Sequence, residues 1–323
     1  MHVIRLNQFV RRVTCGAMLG SAVLAVAATV PLTSMAAEVA IPVQKVDPAL
    51  RARLPQGIVT AGFMTSVNEG SFPPYSVVKS AHELDGASGD LVLALGQLFG
   101  VQVRHEAVSG LSAVLSGLKT GRYQLAIGPI GDFPDREKVN DFVDWVQEFV
   151  VFGVPKGNPE KISTLESTCG KRIAVMAAGS AEKVMQNQTK LCVSQGKPAI
   201  NILSYTDQPT SILAVRSNRA DAFFSSQAPL TYFVQQSKGQ LELSGVGQAN
   251  GFHDLFQGAV VQKDSPLGPL LVDAIQKLID NGTYAQIMQK WGLSGNMIKQ
   301  AGLNLPGKLA AAGGKPTDKP GAK

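Results

Sequence analysis

The chain has 323 residues, 45% hydrophobic and 17% charged, enough apolar content to bury a substantial core and too much for general disorder. Its formal charge of +6 sits at the two ends of the chain, so the body between them is nearly neutral, and no basic stripe interleaved with aromatics is present. That excludes nucleic acid as a partner, and His82, His105 and His253 lack metal-site spacing, so neither a metal nor another cofactor is expected.

Residues 1–36 read as a secretory signal: Arg5, Arg11 and Arg12 precede an apolar run from Ala17 to Val30, and Ser34, Met35 and Ala36 offer small residues for cleavage. Cys15 lies ahead of that run, where it leaves with the signal. No later stretch is long and apolar enough to span a membrane. The mature chain is therefore expected in the periplasm. "GIVTAGFM" (57–64) reads as a first strand, and "NEGSFPPYSVV" as a loop that displays Phe72 and Tyr75 around two prolines, with burial in the core as the alternative. Leu91, Leu95, Leu98 and Phe99 recur at helical spacing, with a stop at Gly100. "VQVRHEAV" alternates as a strand, Leu111, Val114, Leu115 and Leu118 mark a helix, and "RYQLAIG" is an apolar strand.

Beyond Phe149 the order restarts. A strand and a Gly-Ser turn lie within 169–180, a helix in 181–192, a strand in 199–205, a helix in 210–218 and a strand in 219–226. Strands alternating with helices predict parallel sheets with flanking helices. "LSGLKTGRYQLAIG" and "ILAVRSNRADAFFSS" echo each other, which suggests two lobes of one α/β type. Helices at 268–282 and 283–292 close the fold, and the Gly-, Pro- and Lys-rich 306–323 is expected to be a disordered tail. In an exported chain Cys169 and Cys192 are expected to form a disulfide, two buried thiols being the alternative.

"GPIGDFPDREKVNDFVDW" (128–145) follows the "RYQLAIG" strand. Ligands of open α/β sheets bind beyond the carboxyl ends of strands, and a guanidinium there can grip a carboxylate with two parallel hydrogen bonds. Arg136 is thus a candidate ligand clamp. The alternative is an ordinary salt bridge to Asp135, Glu137, Asp141 or Asp144.

"FPPY", "GASGDLVLALGQLFG", "GRYQLAIGPIGDFPDREKVNDFVDW", "NRADAFF" and "NGTYAQIMQKWG" occur in the order and spacing of a known family. Over residues 55–292 the chain resembles the type II periplasmic solute-binding proteins that serve polar amino acid ABC transporters, the bacterial extracellular solute-binding proteins of family 3. The resemblance implies a two-lobed α/β fold of the type II periplasmic-binding kind, with a ligand cleft between the lobes. Lobe 1 would comprise 50–145 plus 258–292, the hinge strands 146–150 and 253–257, and lobe 2 151–252. It implies that Arg136, with Pro129 beside it, clamps the ligand carboxylate, that Phe72 covers the ligand and that Tyr75 takes the second aromatic position of that loop. The hydroxyl residue that assists the arginine falls on Gly131, a second covering aromatic falls on Val108, and the Gly-Ser turn at a helix start falls on Gly179 and Ser180, where an anion is favoured. An aspartate that holds the ammonium falls on Ser226, which with Gln227 suits a neutral polar group. Glu69 or Asp132 would then be the acid available to an ammonium, unless each is simply a solvated loop carboxylate. The implied function is a monomeric, secreted carrier of an amino-acid-like small carboxylate that delivers to the membrane permease of an ABC importer. A periplasmic dehydratase of the same fold is the alternative, and the sensing module of a receptor a third reading.

Overall fold

The computed structural model describes residues 40–311. The signal segment 1–36 with Cys15, and residues 312–323 of the tail, lie outside the described residues. Asp47 caps α1 (Pro48–Ala52), its Oδ1 accepting from the amides of Ala49 at 2.8 Å and Leu50 at 3.0 Å. α2 (Gln56–Ala61) follows and ends on Gly62 in the left-handed region, φ 72°. The strand expected over 57–64 is therefore a helix for most of its length. Pro55 before it and Gly62 after it are start and stop signals that outweigh the β-branched residues between them. The first strand, β1 (Phe63–Asn68), begins only after that stop.

A hairpin of β2 (Val77–Ser80) and β3 (Glu83–Asp85) leads to α3 (Ala87–Phe99), closed by Gly100 at φ 64°. Then come β4 (Gln102–Ala107), α4 (Leu111–Lys119), β5 (Leu125–Gly131), the single turn α5 (Pro134–Glu137) and β6 (Asn140–Glu148). The chain crosses at Phe149 into β7 (Val150–Pro155), followed by β8 (Arg172–Met176), α6 (Ser180–Ser194), β9 (Asn201–Tyr205), α7 (Gln208–Arg216), β10 (Ala222–Ser226), α8 (Gln227–Gln236) and β11 (Leu241–Ser244). It returns through β12 (Leu255–Gln262) to α9 (Leu267–Asp280), α10 (Thr283–Lys290), β13 (Met297–Leu303) and α11 (Leu305–Ala311).

These strands build two sheets. One has six strands in the order β13-β6-β12-β5-β1-β4, the other five in the order β11-β7-β10-β8-β9. Both are mixed rather than purely parallel. β1 runs parallel to β4 and β5, and β8 parallel to β9 and β10, as helix crossovers require. β6, β12 and β13 in the first sheet, and β7 and β11 in the second, run antiparallel to their neighbours. The sequence grammar missed them because β6 passes to β7 through one residue, with no helix to announce a crossover. Phe142, Val143, Trp145 and Val146 on β6 and Phe152 and Val154 on β7 are each at most 1% exposed. Helices cover both faces of each sheet, so these strands read as continuous apolar runs.

The tail differs from expectation at its start. β13 pairs with β6, Leu303 opposite Val143, and residues 305–311 form α11. The first sheet therefore continues past Gly292. Low-complexity composition did not reveal this because the helix is held mainly by acceptors from elsewhere: Asp144 Oδ2 takes the Leu305 amide at 3.1 Å and Glu137 Oε1 the Gly307 amide at 3.0 Å.

Cys169, before β8, is bonded to Cys192 on α6, and Cys192 is fully buried. A bridge closing a loop of sequence separation 23 should contribute about 3 kcal/mol by limiting the unfolded chain. Protein lacking residues 1–36 should thus show no free thiol until reduced. Reduction should lower its unfolding free energy by about that amount in a denaturant titration; two thiols titrating in the native protein would contradict the bridge.

Candidate ligand-binding cleft

The carboxyl ends of strands from both sheets converge on one cleft. β1 delivers Glu69 and Phe72; β5 ends in Pro129, Ile130 and Gly131 and leads to Arg136 on α5. From the second sheet, β8 leads to Gly179 and Ser180 at the start of α6, and β10 ends in Ser225 and Ser226. The cavity between them measures about 50 Å³ and is partly open to solvent.

Arg136 spans the gap. Its Nη1 donates to the Gly131 carbonyl at 2.8 Å and its Nη2 to the Ala178 carbonyl, on the opposite wall, at 3.0 Å, while its guanidinium lies 5.2 Å from the Phe133 ring centre. Burial lowers its pKa, opposed by Glu69 and Asp132, yet an arginine keeps its charge in any protein. With two of five N–H donors committed to carbonyls, the remainder are free for an anion. Nearby, Lys183 on α6 meets Asp135 on α5 at 2.6 Å, both two-thirds exposed, a pair of little energetic weight.

Glu69 carries the other charge of the cleft. Its Oε2 is shut off from solvent and meets no hydrogen-bond donor, and burial pushes its carboxyl up to about 7 despite the attraction of Arg136. Ser226 accepts from Gln257 Nε2 at 3.3 Å, and Ser225 donates to Gln208 Oε1 at 3.0 Å. Gln257 Oε1 is buried without a donor. α6 opens at Gly179 with no side-chain cap, so its first amides face the cleft unclaimed by a side chain.

Of the residues expected to bind ligand, Arg136, Phe72, Glu69, Pro129, Gly131, Gly179, Ser180 and Ser226 line this cleft. Tyr75 does not. Its side chain is fully buried, stacked behind Phe72 at 5.7 Å and edge-on to Trp145 at 5.9 Å, with its hydroxyl 3.4 Å from Glu148. The tight turn in which Phe72 and Ser76 exchange backbone hydrogen bonds sends Tyr75 inward, where it supports Phe72 rather than touching ligand. Gln227 is the second correction: it begins α8 and faces a separate depression shared with Tyr232 and Trp291. Asp132 is not in the lining either. It is 1% exposed, and its carboxyl neighbours are Asp144 and Glu137, so burial and their charges push its pKa up and it holds a proton rather than serving a ligand cation. Val108 borders a neighbouring groove, where Glu69 also appears.

Gln208, Ser225 and Gln257 were not foreseen. A strand-end position was a usable signal for Ser225, next to Ser226. Gln257 lies on the antiparallel return strand, and nothing local marks it. Among the described residues no cluster of His, Cys, Asp or Glu could hold a metal ion, and no helix is long and apolar enough to cross a membrane.

Residues 64–294 match the family described as bacterial extracellular solute-binding proteins, family 3, and the chain belongs to that family. It is 26% identical over 262 residues to the arginine-binding protein ArgT of Corynebacterium glutamicum, covering 80% of this chain and 83% of that one. It is 23% identical over 225 residues to the L-cystine-binding protein TcyJ of Escherichia coli, covering 69% and 80%. Among solved structures, an ancestral arginine-binding protein bound to arginine superposes with a TM-score of 0.63 at 24% identity, over 71% of this chain and 98% of that one. An ancestral amino acid-binding protein described as a precursor of cyclohexadienyl dehydratase gives 0.61 at 19% identity, over 73% and 97%. The fold is the two-lobed type II periplasmic-binding fold.

Glu69 makes the empty cleft costly. Its native pKa of about 7 stands above the ordinary 4.5, so between those values the folded protein holds a proton that the unfolded chain has released. Stability contributed by this site is lost as pH rises through that window. Glu69→Gln should therefore stabilise the ligand-free protein by up to about 3 kcal/mol at pH 8 and by almost nothing near pH 4.5, read from denaturant melts at both pH values.

Proposed function

We propose that this protein captures a cationic amino acid, with arginine the first candidate, and passes it to the permease of an ABC importer. The observation that carries this reading is the pairing of two unspent charges in one cleft: Arg136 with free donors, and Glu69 with a carboxylate oxygen lacking any donor. These suit the carboxylate and the distal cation of such a ligand. The α-ammonium would meet Gln257 Oε1 and Ser226 rather than an acid. Relatives named for arginine support the choice.

In this reading 146–150 and 253–257 act as hinges, 50–145 with the chain after 257 form one lobe, and 151–252 form the other. Closure brings Arg136 to the Ala178 carbonyl and Lys183 to Asp135. Residues 1–36 direct export to the periplasm, where the disulfide forms. The protein is a carrier rather than an enzyme: ligand recovered after long incubation should be chemically unchanged.

Calorimetric titration with L-arginine tests the assignment. Arg136→Ala should cost about 2 to 5 kcal/mol of binding, or roughly 30-fold to several thousand-fold in affinity, with little change in melting temperature. Lys at 136 should rescue little, because it lacks the planar fork. Intact affinity with a collapsed melting temperature would make Arg136 a structural residue.

The pH dependence has a fixed sign. A cation beside Glu69 pulls its carboxyl below its free value of about 7, so binding releases a proton. Affinity for arginine should rise roughly 10- to 30-fold from pH 5.5 to pH 8, and affinity for citrulline, with a neutral side chain, should not. Equal profiles for the two ligands would remove Glu69 from the site.

A further inference from the structure

The family match ends at residue 294, yet the chain goes on to add β13 and α11 to the first sheet. This addition reaches the element that carries Arg136. α5 has four residues, none buried, and the amides of Arg136 and Glu137 both bond the Phe133 carbonyl just before it. A turn that short cannot hold itself. Asp135 on it makes only solvent-exposed ion pairs, which are weak. The firm contact on the side away from the cleft is Glu137, whose Oε1 accepts the Gly307 amide of α11 at 3.0 Å.

α11 is itself anchored. Gly302 and Leu303 pair with Asp144 and Val143 of β6, Asn304 accepts from the Phe142 amide at 2.8 Å and donates to Asp141 at 2.9 Å, and Asp144 takes the Leu305 amide. Gly307 fits against Glu137 so closely that a Cβ there would collide with Glu137 Oε2. We propose that β13 and α11 are a brace that sets the position of Arg136, with Glu137 as the positioning residue that transmits it.

The proposal depends on the preceding section only in taking Arg136 as the ligand-facing group, and one arm of its test needs no ligand. Amide hydrogen exchange at Arg136, Glu137 and Val139 would be compared in the wild type, Gly307→Ala, Glu137→Ala and Glu137→Gln. Gly307→Ala and Glu137→Ala should exchange about tenfold faster at these three amides alone, at nearly unchanged melting temperature. Glu137→Gln, which keeps an oxygen for the Gly307 amide, should stay near wild type. L-arginine affinity should fall about tenfold in the first two and recover in Glu137→Gln. Unchanged exchange in Gly307→Ala and Glu137→Ala, or equal acceleration in Glu137→Gln, would overturn the brace. A wild type that ignores arginine would instead refute the ligand assignment and leave exchange to decide the brace.

Discussion

A guanidinium drawn partly out of water needs acceptors around it, and much of this structure answers to that demand from Arg136. Two carbonyls, Gly131 from its own side and Ala178 from the opposite wall, take two of its donors. Glu69 supplies a facing carboxylate; Asp132 lies close, but burial first, and then the neighbouring Asp144 and Glu137, push its pKa up. The arginine is thus partly satisfied and partly vacant. Full pairing within the protein would leave nothing for a ligand, and no pairing would make the buried charge prohibitive.

The same economy appears at the crossing between the sheets. Glu148 closes β6 immediately before the chain enters β7, and it is 2% exposed. Tyr75 and Asn296 meet it from the first-sheet side and the Ala228 amide from the second. Burial raises its carboxyl to about 8. Glu148 is thus touched by elements of both sheets at their crossing, and Tyr75, which meets it, also backs Phe72 of the cleft.

Much of the architecture was legible because helices and strands declare themselves over short windows. Leu91, Leu95, Leu98 and Phe99 repeat at helical spacing, and Gly100 ends the helix with a conformation that other residues avoid. The lining of the cleft was legible where residues follow a strand end, as with Arg136, Gly179 and Ser226. It failed for Tyr75 and Gln227, because a loop aromatic or a residue one position past a strand can face either way. Only the path of the backbone between Phe72 and Ser76, or the start of α8 at Gln227, chooses the side.

By itself the sequence determined most of the longer helices and several of the parallel strands, the two-lobed grammar and the placement of an arginine beyond a strand's carboxyl end. All of these depend on neighbours within a few residues, where periodicity and capping act. Only the tertiary structure decided that β6, β12 and β13 run antiparallel, and that a low-complexity stretch begins as α11. Each of those outcomes rests on a partner distant in the chain, Val143 for Leu303 or Asp144 for Leu305, and no local pattern encodes a contact whose other half is more than thirty residues away.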